Sequence, residues 1–522
     1  MTDQQLSPIV SPETIPAFIL HTIKTLQDKG FEAYLVGGCV RDMLIHSSAH
    51  MSKDWDITTN AHPDAVQAAF PLYKTVYENN FGTVTVLNMP AEEAPGVTRE
   101  TPDANNIAQI TTYRSEGTYT DNRRPDTVQY ETELLKDLER RDFTMNAIAY
   151  DPFALATNPE HGYKGQFIDA FGGIKDIKDK VIRCVLYPDI RFQEDALRML
   201  RAVRFSTVLN FAIEGATLTA ITSNKDLLAK ISQERIRDEF FKMIDSEAPA
   251  TGITLLQKTG LLHYIVPELE EGIGCEQKGA HIYDVYDHLL HALAHAADKK
   301  LSRVIRLTAL FHDIGKPATR RYDRTKDKYT FFGHEVVGAR MTKKILDRLK
   351  VPRETSDLVV SLVRNHMFFS DTEQITLSAV RRIIQKVSPE HIWELMQVRE
   401  CDRVGMKKAE APYRLRKYHA MIDEALRDPI TVGALAIDGT YLMETLHMKP
   451  GRRMGWILHA LLEEVLEDPT LNTIDTLKNM ALDMDKKDDS LLQNLGQKGK
   501  ERKEEINDGE IKQLHMKHGV KK

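Results

Sequence analysis

The apolar pattern of this chain changes period once, and that change constrains the fold more than any single motif. Up to about residue 151, short runs rich in β-branched and aromatic residues alternate with helical ones. Ala33–Gly38, Trp55–Thr59, Thr83–Leu87, Ile107–Arg114 and Thr127–Tyr130 read as strands. A polar stretch with three prolines between Leu87 and Ile107 reads as a surface loop. From Asp189 onward apolar residues recur at spacings of three and four, as in Asn224–Met243 and Leu289–Phe311. That is the period of a helix buried on one face. The expected class is α+β, with a small mixed sheet and its helices as a head and a long all-α body behind it. A chain of 522 residues has room for several such domains.

The head carries two features with chemical meaning. The first strand runs into Gly37-Gly38-Cys39-Val40-Arg41-Asp42. Two glycines at a strand-to-helix turn let backbone N–H groups approach a phosphate, and the helix N-terminus adds a favourable dipole. Arg41, one turn in, can reach a triphosphate. Next comes Lys53-Asp54-Trp55-Asp56-Ile57-Thr58, read as a strand. Asp54 and Asp56 are two apart and leave the same face, while Trp55 and Ile57 point to the core. Two carboxylates beside a phosphate turn suit Mg²⁺ held against a nucleoside triphosphate. Each feature alone also fits a plain structural turn or a solvated edge strand.

Together with Arg140-Arg141-Asp142-Phe143-Thr144-Met145-Asn146-Ala147, Arg123-Arg124-Pro125 and Phe171-Gly172-Gly173, these residues resemble the bacterial poly(A) polymerase and tRNA nucleotidyltransferase family. The resemblance runs nearly continuously from about residue 30 to 245. It implies a polymerase-β-like nucleotidyltransferase head, catalytic Mg²⁺ on Asp54 and Asp56, and nucleotide contacts from Gly37, Gly38, Arg41 and Arg141. It further implies template-independent addition of C, C and A to the tRNA 3′ end from CTP and ATP. One position departs from the family: Gln109 stands where relatives carry a glutamate, in Gln109-Ile110-Thr111-Thr112-Tyr113-Arg114. A neutral amide is neither a third anionic ligand nor a base, so a three-carboxylate mechanism is in doubt here.

The segment Phe192-Gln193-Glu194-Asp195-Ala196-Leu197-Arg198 and its continuation to Arg204 read as one helix. Asp195 and Arg198 are i and i+3 and share a face, which Arg201 and Arg204 extend. The plain alternative is an intrahelical ion pair on a solvated surface. Three arginines at three-residue spacing are a repulsive row unless something anionic lies on it. Cytosine and adenine each present an amino donor beside a ring-nitrogen acceptor, so a carboxylate beside a guanidinium accepts them and rejects uracil and guanine. In the family resembled, the Glu-Asp-x-x-Arg helix reads bases in this way. That carries the role to Asp195 and Arg198, with Arg201 and Arg204 on the nucleotide and Gln233-Glu234-Arg235-Ile236 supporting the neck.

Further on, Leu310-Phe311-His312-Asp313-Ile314-Gly315-Lys316-Pro317 follows His288 and precedes His334, His366 and Asp402. This order resembles the HD phosphohydrolase superfamily. Imidazole with carboxylate suits Mn, Ni, Fe or Mg better than structural zinc. The resemblance implies metal ligands at His288, His312, Asp313, His334, His366 and Asp402, and hydrolysis of phosphate esters such as 2′,3′-cyclic RNA ends. Asp438-Gly439-Thr440-Tyr441-Leu442-Met443 and Pro450-Gly451-Arg452-Arg453 resemble the tRNA-holding region of the first family, where Lys449, Arg452 and Arg453 supply positive charge.

Charge and composition set the outer limits. A net charge of −6 demands that any RNA surface be a local basic patch. Four scattered cysteines without CxxC spacing exclude a zinc ribbon and predict a reducing, cytoplasmic setting. The N-terminus lacks the pattern of a signal peptide, and no apolar run reaches the ~18 residues of a membrane span. From about Asp483 the chain alternates Lys, Glu, Asp and Gln, predicting a disordered tail, with a short basic helix on RNA as the alternative. The expected domains are a catalytic head (1–155), a nucleotide- and RNA-binding neck (156–275), an HD-type domain (276–410), a C-terminal helical region (411–482) and the tail (483–522). Competing functions are a poly(A) polymerase or a partial enzyme adding only CC or A. From other classes come an HD phosphohydrolase with a degenerate head and a noncatalytic RNA-binding protein.

Overall fold

A sheet whose strands alternate between a helix-covered face and a charged face organises the head. The structure, a computed structural model, describes residues 15–46, 54–78, 82–90, 107–116, 128–154, 165–277, 282–325, 327–367, 376–404, 412–427 and 432–520. Lys53, most of the proline-rich loop, Arg123-Arg124-Pro125 and Thr127 lie outside them. Chain compaction gives two units, 1–363 and 364–522.

In the head of the first unit the strands are β1 (Ala33–Val36), β2 (Asp56–Thr59), β3 (Tyr73–Glu78), β4 (Thr83–Pro90), β5 (Ile107–Thr112), β6 (Arg114–Glu116), β7 (Val128–Tyr130), β8 (Ala149–Asp151) and β9 (Gln166–Ile168). Seven of them form one mixed sheet in the order β3-β4-β5-β2-β1-β8-β9, while β6 pairs with β7. β2 runs antiparallel to β1 and parallel to β5, placing Asp56 opposite Gln109. One face is apolar: Leu35, Ile57, Val84, Val86, Ala108 and Ile110 are fully buried, with Ile19, Ile23 and Leu26 of the helix Ala17–Asp28 in the same core. Each such side chain contributes roughly 1.5–3 kcal/mol of burial. Trp55 joins them, as the two-residue alternation requires, which leaves Asp54, Asp56 and Thr58 for the opposite face.

Behind the head the chain is helical. Asn224–Met243 is a short 3-10 stretch, Lys225–Lys230, followed by the helix Gln233–Ile244, and two further long expected helices are broken. Leu289–Phe311 is two helices, Val285–Asp298 and Arg303–Phe311. Lys300 takes a left-handed φ of 53°, and the amides of Lys300 and Leu301 bond the carbonyls of Ala297 and Ala296, a hydrogen-bonded helix stop. Ser302 then caps the next helix. The second break falls at Asp195, between the helices Pro188–Glu194 and Leu197–Leu209. Asp195 is extended, with φ −136° and ψ 104°, and its side chain accepts from the Leu197 amide at 3.0 Å. The segment is therefore not one continuous helix: a carboxylate satisfying a free helix-start N–H competes with helix continuation there.

The second unit corrects the tail. Asp489–Lys517 is a 29-residue helix, not a disordered segment. Leu492 is fully buried, and Gly496 and Gly499 let the helix lie close on Arg452–Glu467. A Cβ on Gly496 would meet the Trp456 backbone at 2.7 Å, and one on Gly499 would meet the His459 carbonyl. Composition hid this seam because it uses glycine where a core usually uses leucine. Arg453 is likewise not a free basic group: it pairs with Asp485 at 2.9 Å and bonds the carbonyl of Lys487. No helix among the described residues is long and apolar enough to cross a membrane.

Candidate active and metal sites

The charged face of the head sheet opens into a cavity of about 480 Å³, lined among others by Gly37, Gly38, Arg41, Asp54, Asp56, Arg141, Arg201 and Arg204. Gly37 turns the chain from β1 into the helix Gly38–His46 with φ 81°. A Cβ there would stand 3.1 Å from Arg141 Nη1 and 3.7 Å from Asp56 Oδ2, so a side chain would fill the space between guanidinium and carboxylate. Burial pushes the Asp56 carboxyl above the usual carboxylate range; Arg141 pulls it down and Asp54 pushes it further up. Two acids that repel each other in a half-buried position are a donor set that fits a divalent cation.

The arginines around the cavity are aimed by buried acids. Asp137, fully buried, accepts from Arg140 at 2.7 Å, from Arg141 at 3.0 Å and from Thr58 at 3.1 Å. Burial alone would raise Asp137, but Arg140 and Arg141 hold it down at about 2. Asp142 accepts from Arg201 Nε at 2.8 Å and from Asn146 at 3.1 Å, which lowers it to about 2 against the rise from burial. Asn146 also accepts from Arg41 at 2.9 Å. Glu239 pairs with Arg204 at 2.5 Å, and the Arg204 guanidinium lies 3.8 Å from the Phe205 ring centre. The arginine row thus needs no external anion: Glu194, Asp142 and Glu239 answer Arg198, Arg201 and Arg204 in turn.

Asp195 and Arg198 do not line this cavity. Asp195 pairs with Arg235 of the helix Gln233–Ile244 at 2.7 Å. Arg198 is buried, donating to Glu194 at 2.6 Å and to the Arg140 carbonyl at 2.9 Å. Sequence reasoning assigned no role to Asp137, Asp142, Asn146 or Phe205. Asp142 and Asn146 sat inside a quoted motif four residues apart on a short turn, and that spacing was the available clue.

The second cluster is closed. His288 Nε2 lies 3.2 Å from His312 Nε2, and the two stand 3.5 and 3.4 Å from Asp313 Oδ2. His334 Nε2 lies 3.1 Å from the other oxygen, Oδ1. His312 and His334 each donate Nδ1–H to a backbone carbonyl, of Ala309 and Phe331, at 2.8 Å. This leaves each Nε2, the ring atom nearest Asp313, as the one that would bind a metal. Lys316 Nζ sits 2.5 Å from Asp313 Oδ2 and donates to Gln277 at 2.6 Å. Against the cost of burial, Lys316 and His312 hold Asp313 well below the usual carboxylate range. His366 and Asp402 belong to the second unit, Asp402 closing the helix Ile392–Asp402.

Known proteins resemble this chain along most of its length. The poly A polymerase head domain family matches residues 33–183, a probable RNA-binding family of polymerase A matches 210–273, and the HD domain matches 280–405. The CCA-adding enzyme of Lactobacillus helveticus is 32% identical over 465 residues, covering 89% of this chain and 96% of that one. That of Levilactobacillus brevis is 40% identical over 263 residues, 50% of this chain and 58% of its own length. The Bacillus stearothermophilus CCA-adding enzyme, solved in complex with CTP, is 27% identical, covers 90% of this chain and 96% of its own, and superposes with a TM-score of 0.53. Identity at this level over nearly the whole length of a relative means that the chain belongs to the CCA-adding enzyme family, nucleotidyltransferases with an HD domain.

Proposed function

We propose that the head adds C, C and A to the 3′ end of tRNA from CTP and ATP. The observation that carries this is the cavity in which a glycine turn, two carboxylates and four aimed arginines converge. Gly37 and the N-terminus of the following helix hold the triphosphate, with Arg41 and Arg141 on its oxygens. Asp54 and Asp56 would hold Mg²⁺, which supplies activation of the RNA hydroxyl and stabilises the leaving pyrophosphate. Arg201 and Arg204, fixed by Asp142 and Glu239, lie along the nucleotide. By the family resemblance Asp195 and Arg198 read the base, and Arg235 and Glu194 fix their orientation. Supplying CTP and ATP to tRNA lacking its 3′ end tests the reading. Addition of CCA in order supports it; runs of A would favour a poly(A) polymerase, and arrest at CC or failure to add C a partial enzyme. The four cysteines are buried and free, which accords with a cytoplasmic setting.

The HD cluster supports a second activity, hydrolysis of phosphate esters at damaged RNA ends such as 2′,3′-cyclic phosphates. His288, His312 and Asp313 would hold a metal of the Mn, Ni, Fe or Mg type, with His334, and with His366 and Asp402 by resemblance. Wild-type protein given each metal and a cyclic-phosphate end should open the ring; no hydrolysis with any metal would reduce the cluster to a structural element.

A further inference from the structure

Between the two halves of the HD cluster the chain makes an exposed hairpin that neither site uses. Its strands, Arg321–Asp323 and Lys328–Thr330, pair antiparallel with Tyr322 opposite Tyr329. The segment 320–332 holds Arg320, Arg321, Arg324, Lys326 and Lys328 against Asp323 and Asp327, a local excess of positive charge in a chain whose net charge is −6. Asp323 is turned inward, accepting from the Thr325 amide at 2.9 Å and its hydroxyl at 2.6 Å. Aromatic faces lie among the cations. The Tyr322 and Tyr329 rings meet at 5.3 Å, and the Arg320 guanidinium lies 3.7 Å from the Tyr329 ring centre. Tyr322 is 49% exposed, and Phe332 at 87% is more exposed than any other large apolar side chain among the described residues.

The hairpin is fastened to the metal cluster. The Phe331 carbonyl accepts from both the amide and the Nδ1 of His334, at 3.1 and 2.8 Å. Lys316, which pairs with Asp313, lies 5.7 Å from the Phe331 ring centre. Phe332 and then Gly333, with φ 79°, lead directly into His334. Exposed aromatics gathered on one short hairpin and rimmed by polar groups mark an interaction surface more than singly scattered ones do. Aromatic faces interleaved with guanidinium and ammonium groups suit the stacked bases and phosphates of a single strand, and no helical nucleic acid offers its base faces in this way.

We propose that this hairpin, with Tyr322, Phe332, Arg321 and Arg324 as its contacts, grips single-stranded RNA leading into the HD cluster. The substrate of that cluster is then an RNA end, held by nucleotides beyond the one that reacts. This rests on the phosphoesterase reading above, which names the RNA end, and adds the surface that holds the nucleotides leading to it. The test uses full-length protein with Phe332→Ala, Tyr322→Ala/Phe332→Ala and Arg321→Ala/Arg324→Ala. Two substrates are compared, bis(p-nitrophenyl) phosphate and a short single-stranded RNA ending in a 2′,3′-cyclic phosphate. Losing a stacking face lowers affinity roughly 5- to 100-fold. The kcat/KM on RNA should therefore fall roughly tenfold or more in each variant, through KM, while the small ester and CCA addition stay as in wild type. The arginine variant should also weaken the salt dependence of RNA hydrolysis. Equal turnover of RNA by wild type and variants overturns the proposal, as does an equal loss on both substrates, which would make the hairpin a support for the metal site. If wild type hydrolyses neither substrate with any metal, the phosphoesterase reading fails. Photocrosslinking of 4-thiouridine RNA then decides the hairpin by itself: adducts on peptide 321–332 uphold it, and their absence overturns it.

Discussion

The head cavity and the HD cluster both gather carboxylates suited to a divalent cation, yet they do so in opposite ways. In the head the carboxylates face an open cavity of about 480 Å³, and the arginines on its wall are tied to acids, Arg141, Arg201 and Arg204 to buried ones and Arg41 to Asp42. The charge there is fixed in direction before substrate arrives, so little reorganisation accompanies reaction. In the HD cluster the ligand atoms are buried and already within 3.2–3.5 Å of one another. An internal cation, Lys316, shares the central carboxylate. An open site depends on its acids for catalysis and scarcely for folding; a closed one depends on them for both.

The largest expected effect tests the open site. Asp56→Asn should lower incorporation of labelled CTP on the order of a thousandfold or more, since it removes a ligand of the reacting metal. Its folding should not suffer. A carboxyl raised by burial is stabilising only while protonated, and its contribution, full below the ordinary value near 3.8, is lost as pH rises through its raised value. At neutral pH the asparagine variant should melt no earlier than wild type. Near wild-type incorporation by both Asp54→Asn and Asp56→Asn would remove the catalytic assignment.

The closed site should behave in reverse. Asp313→Ala leaves Lys316 buried beside three imidazoles, and breaking such a pair costs about 3–5 kcal/mol. Chemical denaturation should show that loss together with the disappearance of phosphodiesterase activity, with CCA addition kept below the unfolding range. Adding Lys316→Met should restore much of the stability and none of the hydrolysis. A stable Asp313→Ala single variant would show that the cluster is not a coupled ion network. Asp313 is held well below the ordinary carboxylate range, so the stability it contributes is present above that range and is lost only as pH falls through its lowered value.

Base choice sits between these two cases and should show an intermediate effect. Asp195→Ala or Arg198→Ala should raise UTP and GTP misincorporation relative to CTP and ATP by roughly 10- to 100-fold. A proportional loss with all four nucleotides, in competition assays on tRNA lacking its 3′ CCA, would make the Asp195–Arg235 and Glu194–Arg198 pairs purely structural.

The head was the more legible half because its chemistry is local in sequence. A two-residue alternation put Trp55 and Ile57 inside and Asp54 and Asp56 outside, and the structure agrees. What escaped were long-range partners. Nothing near Arg201 in sequence announces Asp142, and nothing near Asp195 announces Arg235; both pairs exist because segments far apart in the chain meet, a bend carrying Asp142 and a helix break carrying Asp195. The strands Tyr73–Glu78, Ala149–Asp151 and Gln166–Ile168 were missed as well. Two are three residues long, too short for a period of two to register. The C-terminal helix was misread for the opposite reason, since Leu492, Gly496 and Gly499 make a seam too sparse for composition to detect.

The smallest expected effect concerns Gln109, and it sharpens the comparison most. β5 lies parallel to β2 with Gln109 opposite Asp56, and parallel neighbours in register present their side chains to the same face. Gln109 is exposed on that face, while Ala108 and Ile110 are buried on the other. An amide oxygen there can accept from water or meet a cation without adding charge beside two acids that already repel. Gln109→Glu adds a third negative charge. It should tighten Mg²⁺ binding in the head, seen as saturation of CTP incorporation at several-fold lower Mg²⁺, because Mg²⁺ affinity rises with carboxylate count. It should also push Asp56 further up, since a like charge at this distance disfavours ionisation. The acid limb of the activity profile should then move to higher pH when Mg²⁺ is limiting and return when it saturates. At saturating Mg²⁺ near neutral pH, addition should equal or exceed wild type. A clear loss there would mean that the Gln109 amide donates a hydrogen bond the carboxylate cannot replace, so that an open site too can depend on a neutral neighbour to keep its acids apart.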